Sequence, residues 1–370
     1  ETKYLIIGGG IAGLSVAYFL LEHGEKDITL VESYTIGSGS TGHSAGMLVC
    51  EPEAASWSKI AHAYGNKAAR DYYAAQVDAT HTINSIIKKN SISCDYSSHH
   101  LVMAGDTERA KKHILEDFVT RKKIGAVAKI LDPEKKSIIN KHFTSGERVP
   151  HNISVNPLLF ARGMSEYLKK KGVKIYEHTS VTDISGNTAK VLDKSITFET
   201  LVECRGTHGS KVHIDTFLTT IAVTRKLTRQ ELSKLSLQGR DMFIDDEKRS
   251  FHYGKITNDN RLLVGYGDVL KKGIASEDLV HIPHKTNIEN FLKKVFPKTD
   301  LKITNAWSHR YALGKTVLPY VHVSKKHAVI NGAGTQIASM VCAQYVVSQL
   351  LGEKHSLKKI LGSSKRVYLE

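Results

Sequence analysis

Gly8, Gly10 and Gly13 are the residues whose spacing first points to chemistry. They stand in the run Gly8-Gly9-Gly10-Ile11-Ala12-Gly13, directly after the apolar stretch Tyr4-Leu5-Ile6-Ile7. Gly8 lets the chain turn sharply off a strand. Gly10 lets the backbone approach a pyrophosphate, and Gly13 lets the following helix pack closely on the sheet. That helix start offers N–H groups and the positive end of a dipole to phosphate oxygens. Glu32 follows the next apolar run, Ile28-Thr29-Leu30-Val31. A carboxylate there accepts both hydroxyls of an adenosine ribose and repels a 2′-phosphate, which disfavours NADP. Strand, glycine turn, helix, strand and acid read together as a dinucleotide-binding βαβ unit.

Two further segments could touch such a cofactor. The loop Ile36-Gly37-Ser38-Gly39-Ser40-Thr41-Gly42-His43-Ser44-Ala45-Gly46-Met47 is built of small and hydroxyl residues suited to close backbone approach. Near the other end, the strand Ala328-Val329-Ile330-Asn331 runs into Gly332-Ala333-Gly334 and a helix from Thr335 to Leu351. Glycine turns opening helices at both ends of the chain imply one long cofactor held at several places. Metal chemistry is not expected. Cys50, Cys94, Cys204 and Cys342 have no CxxC or ligand spacing and read as reduced thiols. The nineteen histidines form no HExxH pair.

The elements that must position these residues follow from periodicity and turn signals. The chain reads as helical from Ala54 to Asn90, as a strand from Asp95 to Met103 and as a basic helix from Thr107 to Ile124. An amphipathic helix is expected from Leu158 to Lys171, then strands at Lys174-Ile175-Tyr176 and Val181-Thr182-Asp183-Ile184. A strand pair from Ser195 to Glu203 ends in Cys204-Arg205-Gly206-Thr207-His208-Gly209. Residues 214–302 are richer in β signals. Phe251-His252-Tyr253 and Leu262-Leu263-Val264-Gly265-Tyr266 are joined by a turn at Asn258-Asp259-Asn260.

The 370 residues suffice for more than one domain, and 41% are hydrophobic, as in ordinary globular chains. Tyr4 to Leu21 and Ala328 to Leu351 carry no charge, but each contains a glycine turn and reads as buried α/β structure rather than a membrane span. Nothing resembling a signal peptide precedes the first strand, and the expected compartment is the cytoplasm. The net charge of +15 is spread over short groups: Arg121-Lys122-Lys123, Lys135-Lys136, Lys169-Lys170-Lys171, Lys293-Lys294 and Lys325-Lys326. Solvated helix faces account for several of them, so nucleic acid is not the expected partner, although the charge suits anionic partners or substrates.

The chain resembles the FAD-dependent amine oxidoreductases of the D-amino-acid oxidase, glycine oxidase and sarcosine oxidase group. The matching segments are GGGIAGLSVAYFLLEHG, STGHSAGML, VNPLLFARGM, SVTDI, LVECRGTHGS, RLLVGYGD, AWSHRY and NGAGTQIA, in the family's order and spread over the whole chain. The resemblance implies an α/β fold: a Rossmann-like FAD-binding domain of the GR2 type with an inserted antiparallel-sheet substrate domain. The implied division gives 1–90, 151–213 and 303–362 to the FAD-binding domain. It gives 91–150 and 214–302 to the substrate domain.

Residue by residue, the resemblance assigns Gly8, Gly10, Gly13 and Glu32 to the ADP part of FAD. Ser40, Thr41, His43, Ala45, Gly46 and Met47 match the loop beside the pyrophosphate and flavin ring. Val181 matches the residue whose backbone meets adenine, and Gly206 the glycine ending a strand against the cofactor. Gly332, Gly334, Thr335, Gln336 and Ile337 match a helix start near the flavin's pyrimidine side, where a helix dipole stabilises negative charge. Similar loops in dimethylglycine and sarcosine dehydrogenases bond flavin covalently through the histidine. Many relatives bind FAD non-covalently, which is the expectation here, with a link through His43 as the alternative.

Arg310 follows Trp307 and matches the family arginine that pairs with a substrate carboxylate, a task suited to a planar guanidinium. The family pattern is Trp-x-Gly-x-Arg-Pro; this chain has Trp307-Ser308-His309-Arg310-Tyr311, one residue shorter. Tyr253 is a second candidate substrate contact or a core tyrosine. Monomeric sarcosine oxidases carry a lysine where this chain has Leu263, so the electron acceptor is left open between O2 and a quinone or partner protein. The implied reaction is oxidation of the C–N bond of a small amino acid or N-methyl amino acid. Hydride passes to flavin N5 and the imine is hydrolysed. The alternatives are a 2-hydroxy-acid dehydrogenase, suggested by Thr41-Gly42-His43, and a tRNA-modifying flavoprotein, suggested by the charge. A homo- or hetero-oligomer is compatible with each reading.

Overall fold

The computed structural model describes the chain except residues 53–54, 133–141, 210–213, 236, 238–239, 246–250, 271–279 and 363–370; the side chains of 268–270 are likewise not described. The basic pair Lys135-Lys136 falls outside the described residues.

Two sheets organise the molecule. The first runs in the order Tyr320–Val323, His327–Asn331, Lys194–Glu203, Thr2–Ile7, Ile28–Val31, Lys174–Tyr176, with the hairpin Val181–Ser185 and Thr188–Val191 attached. Its central pairings are parallel. Parallel strands need crossovers that cover their faces, so the central strands carry near-continuous buried runs at Tyr4–Ile7 and Ile28–Val31. The glycine turn feeds the helix Ile11–Glu22, which packs on the closing helix Gln336–Leu350. The second sheet carries Ile303–Gly314, Ile214–Thr224, Leu262–Leu270, Phe251–Ile256, Met242–Asp245, Ser97–Gly105, Ser145–Ser154 and Met47–Leu48 in that order. It is antiparallel apart from the pairing of Met242–Asp245 with Ser97–Gly105. Met47–Leu48 and Ile303–Gly314 therefore hydrogen-bond into the second sheet, although the sequence division sets both with the FAD-binding domain.

Most expected elements appear with their caps. Thr107 caps the basic helix Glu108–Ile124 through Oγ1, which accepts from Ala110 N, and Gly125 ends it in the left-handed region. Asn156 caps Pro157–Lys170, with the proline in its first turn. The long helical region divides at Gly65 (φ +87°) into Trp57–Tyr64 and Asn66–Lys89. The expected strand pair from Ser195 to Glu203 is one strand, Lys194–Glu203; its antiparallel partner is Thr188–Val191. The turn at Asn258 joins its two strands as expected.

The second sheet has two distinct faces. Val102, Ala222, Phe243, Ile256 and Val264 turn toward the helix Ile282–Val295 and pack on Phe291 and Leu292. The opposite face meets the loop that follows Glu32: Ala45 and Met47 pack on Ile221, Leu263, Tyr253 and Trp307. Elsewhere, the 1% exposed Arg121 joins Glu51 (2.6 Å), Asp117 (3.1 Å) and Glu147 (3.2 Å) in the interior. Burial pushes the Glu147 carboxyl up to about 8, and it pushes Glu51 and Asp117 upward too, against the pull of Arg121. All four cysteines are free and buried, and no helix among the described residues is long and apolar enough to cross a membrane.

Candidate active site

The nucleotide end is a cradle that side chains would fill. Gly8 has φ +112°, and a Cβ there would collide with the Cys204 carbonyl at the end of the neighbouring strand. A Cβ on Gly13 would strike the Gly8 carbonyl, so this helix reaches the turn because both positions lack one. A Cβ on Gly10 would sit 3.1 Å from Thr41 Oγ1, and that same Oγ1 accepts from Ile11 N at 3.0 Å. Glu32 lies beside the turn. Its Oε2 accepts from Gly9 N at 2.7 Å and its Oε1 from Tyr34 N at 2.9 Å. Each oxygen retains a lone pair for a ribose hydroxyl. Thr179 N donates to the Glu32 carbonyl at 2.7 Å, which brings the segment leading to Val181 alongside. Val181 packs against the cluster containing Leu5, Ile7 and Val31. Gly206 (φ +52°) opens the 3-10 turn Gly206–His208 after Cys204.

The loop and the closing helix meet a short distance along. Ser40–His43 forms one helical turn, and Ser40 Oγ donates to the Arg310 carbonyl at 2.9 Å, tying the loop to the second sheet. Gly332 (φ +68°) turns the chain where a Cβ would collide with Gly314. Gly334 follows, and Thr335 caps the helix by accepting from Ala338 N. Gln336 Nε2 donates to Ser44 Oγ at 3.0 Å, while its Oε1 is buried without a partner. Ile337 is fully buried beneath.

The wall facing this loop is the second sheet. Trp307 Nε1 donates to the His43 carbonyl at 2.8 Å. Tyr253 OH and Thr219 Oγ1 are 2.9 Å apart, and Gly265 leaves the space that the Tyr253 ring occupies. Lys255 Nζ donates to the carbonyls of Val155 (2.9 Å) and Gly46 (3.1 Å). Burial lowers that ammonium to about 8. His309 stacks toward His43 and is 8% exposed, with Nδ1 buried and unpartnered. Burial, reinforced by His43, drives its imidazole down to about 3, so it is neutral. His43 itself is exposed, with Nδ1 3.0 Å from the Gly39 carbonyl.

Strand alternation sets the face on which Arg310 stands. Ile303–Gly314 pairs with Ile214–Thr224 in unbroken register from Ile214↔Gly314 to Val223↔Asn305. Thr219, opposite His309, reaches Tyr253; Thr220, opposite Ser308, reaches Ser308 Oγ (2.7 Å) and His284 on the other side. Successive residues alternate between faces. Trp307, His309 and Tyr311 therefore face the loop, and Arg310 shares the face of Ser308. The structure does not bring Arg310 and Tyr253 together on one wall. The cause is the shortened Trp-to-Arg spacing, which sets Tyr311 where the family pattern places its arginine. Arg310 Nη2 is buried without a partner. His309 and Lys255 were missed from sequence because no motif marks them. The alternation of residues 305–311 could have singled out His309. Lys255 stands opposite Leu263 in register, so a lysine does occupy this wall, one strand away from the position expected.

A glycine cradle, a ribose-ready carboxylate, a capped helix start and a half-aromatic wall define a dinucleotide-dependent oxidoreductase site. Gln336 Oε1 and His309 Nδ1 are both buried without a partner, as atoms that take hydrogen bonds from a polar ring system would be. Residues 3–348 match the family described as FAD dependent oxidoreductase (DAO), and the chain belongs to it. It is an FAD-dependent oxidoreductase acting on C–N bonds of amines and amino acids. Among curated relatives it is similar to gamma-glutamylputrescine oxidoreductase of Escherichia coli K12, 26% identical over 335 residues, 85% of this chain and 74% of that one. It is also similar to the probable oxidoreductase OrdL of Haemophilus influenzae, 24% identical over 95% of this chain and 83% of that one. The fold is shared with glycine oxidase of Bacillus cereus, with a TM-score of 0.79 at 19% identity and all of both chains covered.

Proposed function

We propose that the protein oxidises the C–N bond of a small amine or amino acid held between the Ser40–Met47 loop and the wall containing Tyr253 and His309. The carrying observation is the buried, neutral, unpartnered Nδ1 of His309 on that wall. When bound, FAD supplies the two-electron acceptor for the hydride that leaves the substrate carbon. Gly8, Gly10, Gly13 and Glu32 hold the ADP part. Thr41, Ala45, Gly46, Met47 and the turn Gly332–Ile337 line the flavin part. Tyr253 and His309 orient the substrate nitrogen through neutral hydrogen bonds, and Trp307, Ile221 and Leu263 exclude water from the reacting carbon. No side chain is required as a separate base, because the amine enters the reaction neutral.

The relatives' names support an amine substrate: one is a gamma-glutamylputrescine oxidoreductase, and a 47-residue segment is 49% identical to human dimethylglycine dehydrogenase. The visible spectrum of the holoenzyme, recorded without oxygen before and after adding amines and amino acids, tests the reading. Bleaching of the flavin band supports it. Bleaching by 2-hydroxy acids alone would replace it with hydroxy-acid oxidation, and salt-sensitive tRNA retardation would favour an RNA substrate. Following the reaction with an oxygen electrode and with a quinone dye assigns the acceptor. Acid precipitation that leaves the flavin in solution supports non-covalent attachment.

A further inference from the structure

We infer that the substrate is an amine with no carboxylate on its reacting carbon. The inference rests on the C–N oxidation proposed above and concerns which amines the site accepts.

The wall decides the matter strand by strand. Thr219 and Ile221 come from one strand, Tyr253 and Lys255 from the next, Leu263 and Gly265 from a third. The edge strand adds Trp307, His309 and Tyr311. Among these positions the cation is Lys255. Its ammonium is 6% exposed and already donates to two backbone carbonyls, Gly46 and Val155. It is engaged in holding the loop. His309 is uncharged for the reason given above. Arg310 lies on the other face, with Ser308 and Thr220, whose hydroxyls lead to His281 and His284.

A carboxylate entering this space would lose its hydration and find, among the described residues of the wall, no cation other than the Lys255 ammonium already bound to two carbonyls. Such burial is strongly unfavourable, and a bidentate guanidinium is the usual remedy. An aliphatic amine is an ammonium ion in water, but it can leave its extra proton with solvent and enter neutral, so it has no such need. It can hydrogen-bond with the Tyr253–Thr219 pair and with His309 Nδ1, and its carbon substituents meet Trp307, Ile221 and Leu263. The same one-residue shortening that turns Arg310 away thus removes the group that would make an α-amino acid welcome.

The test uses substrate pairs of matched skeleton on the oxidised holoenzyme without oxygen: methylamine against glycine, and propylamine against 2-aminobutanoic acid, each acid bearing its carboxylate on the only carbon that can lose the hydride. The expected result is that each carboxylate-free member reduces the flavin with a second-order rate constant about 100-fold or more above its partner, the scale on which unpaired polar groups discriminate. Calorimetry with propylamine and propionate reads binding without turnover; heat is expected from the amine and none from propionate at millimolar concentration. Tyr311→Arg, which sets a guanidinium on the wall, should move the glycine-to-methylamine ratio about tenfold or more toward glycine. Glycine or 2-aminobutanoic acid outpacing its carboxylate-free partner, or propionate binding as tightly as propylamine, overturns the inference while leaving C–N oxidation intact. Reduction by hydroxy acids alone overturns the proposed function, and this inference with it.

Discussion

The imidazoles of His43 and His309 lie face to face, 5.9 Å between centroids and 30° from parallel. One ring belongs to the loop that follows Glu32 and the other to the edge strand of the second sheet, so the contact spans the two halves of the site. Only the inner ring is buried, and that burial keeps it uncharged.

His309→Leu should therefore lower kcat/KM about 10- to 100-fold, the equivalent of one hydrogen bond to a buried group. His309→Gln, which keeps a neutral donor and acceptor, should stay within about tenfold of the parent. With an imidazole that titrates only near 3, the pH profiles of parent and His309→Gln should share the same ionisations from about pH 5 to 9. Steady-state rates across that range decide it; an unchanged His309→Leu would remove His309 from the site.

Lys255 fastens Gly46 of the loop and Val155 beside it through a single ammonium. Lys255→Met leaves the Val155 carbonyl without its donor, a cost of about 1–3 kcal/mol for a buried group, while the Gly46 carbonyl keeps Val155 N as donor. A lower Tm and weaker retention of FAD on dialysis are expected, with the far-UV spectrum unchanged. Retention equal to the parent would show that the loop holds its position without this clamp.

Arg121 is surrounded by Glu51, Asp117 and Glu147, and Arg121→Met would strand those carboxyls in the interior. The expected loss is about 3–5 kcal/mol in denaturant unfolding. The cluster also predicts a pH dependence. The Glu147 carboxyl is raised from its ordinary 4.5 to about 8, so the folded state holds a proton that the unfolded chain releases. That contribution to stability is complete below about 4.5 and is lost as pH rises through about 8. Glu147→Gln should flatten the stability profile between those values; an unaltered slope would place its origin elsewhere.

Glu32→Ala should weaken FAD binding about 10- to 100-fold by removing acceptors for the ribose hydroxyls. Gly13→Val should leave the protein without flavin, because even a Cβ meets the Gly8 carbonyl. Fluorescence titration of the apoprotein measures both. A Gly13→Val chain that loads FAD normally would mean that the helix can retreat from the turn.

The nucleotide half of this architecture was legible in the sequence because its signals are local. Gly8, Gly13 and Glu32 act within one βαβ unit, and Thr107, Asn156 and Thr335 are caps readable from their neighbours. The substrate half was not, because its residues meet through pairing between distant strands. Nothing near Lys255 in sequence announces Gly46, and nothing near His309 announces His43. The face of Arg310 was not legible for a different reason. A motif match counts residue types, whereas a strand counts residues by twos.

That last arithmetic has an evolutionary corollary. In a strand whose two sides border different compartments, losing one codon exchanges what the two compartments contain from that point onward. Neither the composition nor the hydrogen-bonded ladder need change. The interval between Trp307 and Arg310 is such a switch: a lineage could trade an ion-pairing chamber for an uncharged one in a single step, long before any individual side chain was replaced.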